Sequence, residues 1–341
     1  MQALLSALGV IFGKLMFFIY NTIGFHNYVI SLILFTIVYK LILLPLSIKQ
    51  MRNTQKMQEF QPELQRLQER YKNDKEKLNE MTMKFYQEKG YNPTSGCLPL
   101  LIQFPIIIAL FYVIRMPMTY MLELPAKAVG EIVIASVEKG ELSKDTLKNK
   151  NYDAIKDNPI DVYMAYNSSD AYFEIRLIES YKKHPEIIDN NPTLTEDKKE
   201  LLKNFDLKMF NIFNLGVQPS LNPSIIKEDP GTYVPALILL IIAVVVSYFT
   251  SLLMMPNARQ KKDPKDKKAK DPSGCAGKSM LYMGPIMTLW IGTIAPSGLA
   301  FYWIINSVLS YVQHVLMNTK FKKDKEGSEV AKVGSKGSKD G

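Results

Sequence analysis

VISLILFTIVYKLILLPLSI, residues 29–48, is an apolar run broken by a single charge, Lys40. An α-helix rises about 1.5 Å per residue, so about 20 residues cross the hydrocarbon core of a bilayer. Four further runs qualify, at about 98–115, 234–255, 279–295 and 298–317, and the stretches 97–114, 233–256 and 279–319 carry no charge. The whole-chain averages hide this. With 341 residues, 42 Lys+Arg against 33 Asp+Glu, a net charge of +9 and 47% hydrophobic residues, they describe an ordinary basic soluble protein. The segregation of charge from apolarity predicts an all-α polytopic membrane protein.

Charge between the runs predicts the orientation. Segment 49–96 is net +3, 257–278 net +5 and the tail 319–341 net +3, whereas 116–232 is net −5. Short basic loops stay inside. The basic segments are therefore expected in the cytoplasm and 116–232 outside, with the N-terminus out and the C-terminus in. The expected layout is an N-terminal interfacial helix (1–25, with an extra span as the alternative) and a first span (26–49). A cytoplasmic helical hairpin (50–96) and a second span (97–115) follow. Then come an extended extracytoplasmic region (116–232), a third span (233–256) and a basic loop (257–278). The fourth (279–295) and fifth (296–318) spans precede a disordered basic tail (319–341). In the hairpin, Met57, Phe60, Leu64, Leu67 and Tyr71 face Leu78, Met81, Phe85 and Tyr86 across an Asn73-Asp74 turn, with Pro62 expected to kink the first arm. Helices are predicted near 170–183 and 194–210.

Catalytic motifs are missing. No HExxH, CxxC, GxGxxG, Walker A or GxSxG pattern occurs, the histidines His26, His184 and His314 are far apart, and Cys97 and Cys275 are too few for a disulfide scaffold. A zinc hydrolase or P-loop enzyme is disfavoured, and no cofactor or metal is expected. Lys40 is the informative residue, because a cation near mid-span costs roughly 2.5–3.5 kcal/mol on insertion scales. Thr36 lies one turn before it and Ser47 two turns after. The fifth run repeats the pattern with Tyr302, Asn306, Ser310 and Gln313 at helical spacing. Gln103 stands between Pro99 and Pro105, and Ser247 and Ser251 are four apart. Each could be an interhelical hydrogen bond. Together they predict a hydrated groove with one positive charge, and with no carboxylate in any span a proton-coupled pump is disfavoured.

FTIVYKLILLPLSIKQ (35–50), QPELQRLQERYKNDKEKL (61–78), NPTSGCLPLLIQFPIIIALFYVI (92–114) and MGPIMTLWIGTIAPSGLAFYWIINSVLSYVQ (283–313) together resemble the YidC/Oxa/Alb membrane protein insertases. The resemblance covers roughly 14–115 and 233–320, and the layout is that of the Gram-positive type. It implies a five-transmembrane-helix insertase core, without chemical catalysis, whose hydrophilic groove receives nascent membrane proteins. Lys40 stands where the family usually has Arg. It keeps the charge but not the planar bidentate fork. Thr36, Gln103 and Trp303 match substrate-facing positions, and Tyr302, Asn306 and Ser310 complete the expected groove. Implied partners are nascent chains, the ribosome, anionic lipids and the Sec translocon in some reactions. DNA is not among them. The long 116–232 segment departs from the short link usual in the family. Two rival readings are an anion or lipid transporter using the same cationic groove and a membrane-anchored ribosome-binding factor.

Overall fold

A computed structural model of the protein describes residues 2–91, 98–147, 151–254 and 275–336. Cys97, most of the basic loop 257–278 and the last five residues of the tail lie outside that range. The described chain is mostly helical. In order, the helices are α1 (Gln2–Thr22), α2 (Tyr28–Ile42), α3 (Leu44–Arg70), α4 (Lys75–Glu88), α5 (Leu98–Arg115) and α6 (Pro117–Tyr120). Next are α7 (Ala126–Glu138), α8 (Tyr152–Ile155), α9 (Pro159–Ser169), α10 (Phe173–Lys183), α11 (Glu186–Asp189) and α12 (Glu196–Asn204). A two-stranded antiparallel hairpin, β1 (Lys208–Met209) and β2 (Phe213–Asn214), precedes α13 (Pro223–Glu228), α14 (Pro230–Met254), α15 (Cys275–Gly292) and α16 (Ser297–Lys336).

Among the described residues, two helices are long and apolar enough to cross a membrane, Pro230–Met254 and Ser297–Thr319. A third span exists if Tyr28–Ile42 and Leu44–Met57, bent by 67° at their junction, count as one. The first span expected over 26–49 is bent in the structure, with its helix interrupted at Leu43. Pro45 is the cause. It has no N–H to donate, and its ring crowds the carbonyl of Leu41, one turn back. Pro62, in contrast, is passed without a break in α3. Shorter apolar helices lie at Ala7–Thr22, Gln103–Arg115 and Leu281–Gly292. The long helices present bare apolar side chains, including Ile238, Ile241, Val245 and Phe249 on α14 and Val308, Val312 and Leu316 on α16. Side chains of this kind, repeated along one face, suit lipid rather than water. Helix α16 runs on to Lys336, past the end expected at 318. The added stretch has no proline, and its Lys, Glu and Ala are good helix formers.

The chain forms two compact units. The first comprises Met1–Val38, Ile102–Ala243 and Leu289–Tyr302. The 116–232 segment is thus not a body of its own. It shares a core with α1, the start of α2 and the α15–α16 turn. Phe205 is fully buried, with its ring 5.9 Å from that of Tyr20 and 5.7 Å from that of Tyr28. The predicted helices appear as α10 and α12, but the chain after Asn204 is extended and enters the β-hairpin. Two glycines permit close crossings. A Cβ on Gly13 would lie 1.8 Å from the Tyr120 carbonyl oxygen, and one on Gly130 would lie 1.8 Å from that of Pro159. Gly130→Ala must push α7 off the start of α9. It is expected to lower the stability of this unit by about 1–3 kcal/mol, the usual range for overpacking. Chemical unfolding in detergent, with unchanged midpoint as the contrary result, checks this.

A buried carboxylate ties the unit together. Glu174, at the start of α10, accepts hydrogen bonds from the backbone N–H of Met118 (2.8 Å) and Thr119 (3.2 Å) and from the Thr119 hydroxyl. Tyr163 shares the Thr119 hydroxyl at 3.1 Å. Glu174 thereby supplies, from another helix, the cap that α6 lacks locally. Burial pushes its carboxyl up to about 7, against the pull of these donors and of the Arg115 charge.

The second unit comprises Tyr39–Leu101, Val244–Thr288 and Trp303–Gly341. Here α3 and α4 fold back on each other across residues 71–74. Asp74 caps α4 by accepting from the Lys77 N–H at 2.9 Å. The Phe60 ring meets that of Phe85 edge-on at 5.6 Å, and Lys89 lies over both.

Candidate functional site

In the second unit the polar residues of the first and last apolar runs meet in register. Tyr39 donates its hydroxyl to Asn306 Oδ1 at 2.8 Å. Lys40 Nζ donates to Ser310 Oγ at 2.8 Å, and Ser310 Oγ in turn donates to the Asn306 carbonyl at 2.7 Å. Gln313 Nε2 donates to Ser47 Oγ at 2.5 Å, and Gln55 Nε2 to Asn318 Oδ1 at 2.7 Å. Partner numbers rise together on both sides, so the two helical paths run in the same direction. The helical spacing on α16 places Asn306, Ser310 and Gln313 on one face and leaves Val308, Val312 and Leu316 bare on others.

Lys40 is half-buried, and among the described residues no carboxylate pairs with it. Its one described partner is a neutral hydroxyl. An ammonium has three donors, so the site holds a positive charge that a hydroxyl solvates but does not neutralise. Trp303 is buried at 6% exposure. Ser247 and Ser251 point at Gly284, where a Cβ would stand 3.6 and 3.7 Å from their hydroxyl oxygens. Those two serines therefore belong to close packing of α14 on α15.

Thr36, Gln103 and Tyr302 belong to the first unit. Gln103 Nε2 donates to the Tyr302 hydroxyl, joining α5 to the start of α16. Thr36 is fully buried and donates its hydroxyl to the Leu32 carbonyl at 2.7 Å. Back-bonding of this kind is the ordinary fate of a threonine inside an apolar helix. The structure thus pairs Lys40 with Ser310 and Gln103 with Tyr302, and it places Thr36 and Trp303 in buried positions. Sequence reasoning missed Tyr39 as the partner of Asn306, and it missed Gln55 and Asn318. The signal for Tyr39 was present: its phenol needs a partner when buried, and Asn306 offers one at the matching depth.

Comparison with known proteins follows this layout. The family described as 60Kd inner membrane protein matches residues 18–168 and 193–325. The protein described as membrane protein insertase YidC of Clostridium perfringens is 59% identical over 87 residues, which are 26% of this chain and 37% of that protein. Its counterpart in Clostridium tetani is 51% identical over 88 residues, 26% of this chain and 40% of that protein. The one in Caldanaerobacter subterraneus is 40% identical over 111 residues, 33% of this chain and 53% of that protein. The chain spans well under two thirds of the length of these relatives. The family match itself takes in both apolar helices that meet at Lys40 and most of the segment between them, and on that breadth the chain belongs to the 60Kd inner membrane protein family.

Proposed function

We propose that this chain is a membrane protein insertase, working without chemical catalysis in a bacterial cell membrane. The observation that carries this reading is Lys40. It is a cation inside an apolar helix, held by Ser310 in a line of polar pairs and matched with no carboxylate among the described residues. Such a charge attracts an acidic group on a passing chain by a few kcal/mol, roughly 4 kcal/mol at 4 Å in an environment of intermediate dielectric. That is enough to hold a tail briefly and little enough to release it. Polar side chains along the same face shorten the path over which that tail sheds water.

Five spans, with the N-terminus out and the C-terminus in, fit the charge of the connecting segments. The parallel course of the helices that carry Lys40 and Ser310 fits first and fifth spans that cross in the same direction. Thr36, Gln103, Tyr302, Trp303, Asn306 and Ser310 are the residues proposed to meet substrate with Lys40. Nascent membrane proteins are the proposed substrates. The ribosome, anionic lipids and the Sec translocon are proposed partners, through the basic segments.

Two measurements test this. In cells depleted of their own insertase, the chain is expected to restore insertion of small single-span proteins. Photo-crosslinkers at Gln103, Thr36 and Trp303 are expected to capture a stalled nascent chain, with a reference position on the far face of α16, such as Val312, silent. No rescue together with no adduct sinks the reading. A transporter would instead give Lys40-dependent anion flux in vesicles with no rescue.

A further inference from the structure

We propose that the β1–β2 hairpin tip, with the α1–α2 corner beside it, dips into the lipid head-group layer on the side of residues 116–232. Phe210 is 81% exposed and Phe25 is 80% exposed, the highest values among the large apolar residues described, and Ile212 is 58% exposed. All three would cost free energy in open water. Both phenylalanines also sit in the left-handed backbone region, Phe210 at φ 53° and Phe25 at φ 52°. The hairpin turn is closed by Ile212 N–H on the Met209 carbonyl at 3.1 Å, and Phe210 and Asn211 (φ 57°) are its two central residues. Turns of this hand favour Asn-Gly. A bulky aromatic there is strained, and strain of this kind persists where a side chain must be aimed.

Position argues for lipid as the occupant. The hairpin is fixed to the starts of two apolar helices. On one side Phe205 sits between Tyr20 and Tyr28, and Tyr28 opens α2. On the other, Leu215 and Val217 accept backbone hydrogen bonds of 2.7 Å from Gly298 and Ser297, which open the candidate span Ser297–Thr319. The tip lies five residues beyond Phe205, within about 17 Å at the usual rise of an extended chain. Phe25 stands three residues before Tyr28 and continues the bare apolar side chains of Phe18 in α1 and of Ile23 just after it. Phe is among the side chains that anchor interfacial segments at the boundary of head groups and acyl chains. The proposal rests on the chain being in a membrane and not on its being an insertase.

The test uses the full chain with Cys97→Ser and Cys275→Ser, reconstituted in vesicles of phosphatidylethanolamine and phosphatidylglycerol in equal parts. An environment-sensitive fluorophore is attached at Phe210→Cys and, separately, Ile212→Cys. Ile241→Cys in α14 gives the lipid reference and Asp145→Cys the water reference. At 210 and 212 the emission is expected to be blue-shifted relative to 145. It should be lost with lipids carrying a nitroxide near the head group and retained with aqueous iodide, whereas 241, at the middle of α14, should answer to a nitroxide deep in the acyl chains. Quenching by iodide as at 145 overturns the proposal. Protection from both quenchers also overturns it, because the tip is then covered by protein. Agreement between the two labelled sites guards against a local effect of either substitution.

Discussion

Lys40→Ala is expected to cut insertion of substrates with acidic external tails by roughly ten- to a hundredfold, the equivalent of the 1.5–3 kcal/mol that a hydrogen bond to a charged group contributes. Substrates with neutral tails should pass almost unchanged, because the charge acts only on an opposite charge. Lys40→Arg should keep activity, since the cation survives and gains a planar fork. The substitution has a structural side as well. Alanine leaves Ser310 Oγ without its donor, but that hydroxyl still donates to the Asn306 carbonyl, so the helix pair should hold. Ser310→Ala separates the two effects. It removes the partner and keeps the charge, and it is expected to lose only a few-fold. Pulse-labelling with protease protection in depleted cells reads all four chains. Equal insertion of acidic-tailed substrates by wild type and Lys40→Ala would remove the electrostatic role.

The second large effect concerns the other unit. Glu174→Ala strips the acceptor from Met118 N–H, Thr119 N–H and the Thr119 hydroxyl. Buried donors left unmatched cost about 1–3 kcal/mol each. The carboxylate's own cost of burial offsets part of this, so a net loss of about 2–4 kcal/mol is expected. Its pH dependence has a definite sign. The folded carboxyl titrates at about 7, above the ordinary 4.5 of the unfolded chain. The folded state therefore binds the proton more tightly. Stability from this group is full below about 4.5, declines as pH rises, and is lost above 7, a change of about 3 kcal/mol at 1.36 kcal/mol per unit. Limited proteolysis of 116–232 between pH 5 and 8 should show loosening with rising pH in the wild type. Glu174→Gln should flatten the profile. A wild-type chain equally resistant across the range would refute the assignment.

The helices of the fold were legible because their signals are local. Apolar length marks α14 and α16, and spacing at three and four marks the α3–α4 pair. The break at Leu43 was written in Pro45, but an apolar run reads as one span when length alone is counted. The place of 116–232 was not legible. It depends on Phe205 meeting Tyr20 and Tyr28 and on Glu174 reaching Met118, contacts between residues far apart in sequence with no period to reveal them. At the candidate site, face-sharing on α16 was readable from spacing and Lys40 from its cost. Which polar groups satisfy each other was not: Thr36 bonds within its own helix, and Asn306 takes Tyr39.

The turn between α15 and α16 has a further consequence. Its backbone is completed by the carbonyls of Leu215 and Val217, some eighty residues earlier, and Gln218 donates to the Thr293 carbonyl at 2.8 Å beside it. The enlarged segment is therefore not an appendix that can be trimmed to the short link usual among its relatives. Excising it would orphan the amides that begin α16, whose later residues hold Lys40. A transplant of the last two helices into a short-looped relative needs a new acceptor for Ser297 and Gly298 before any question of substrate arises.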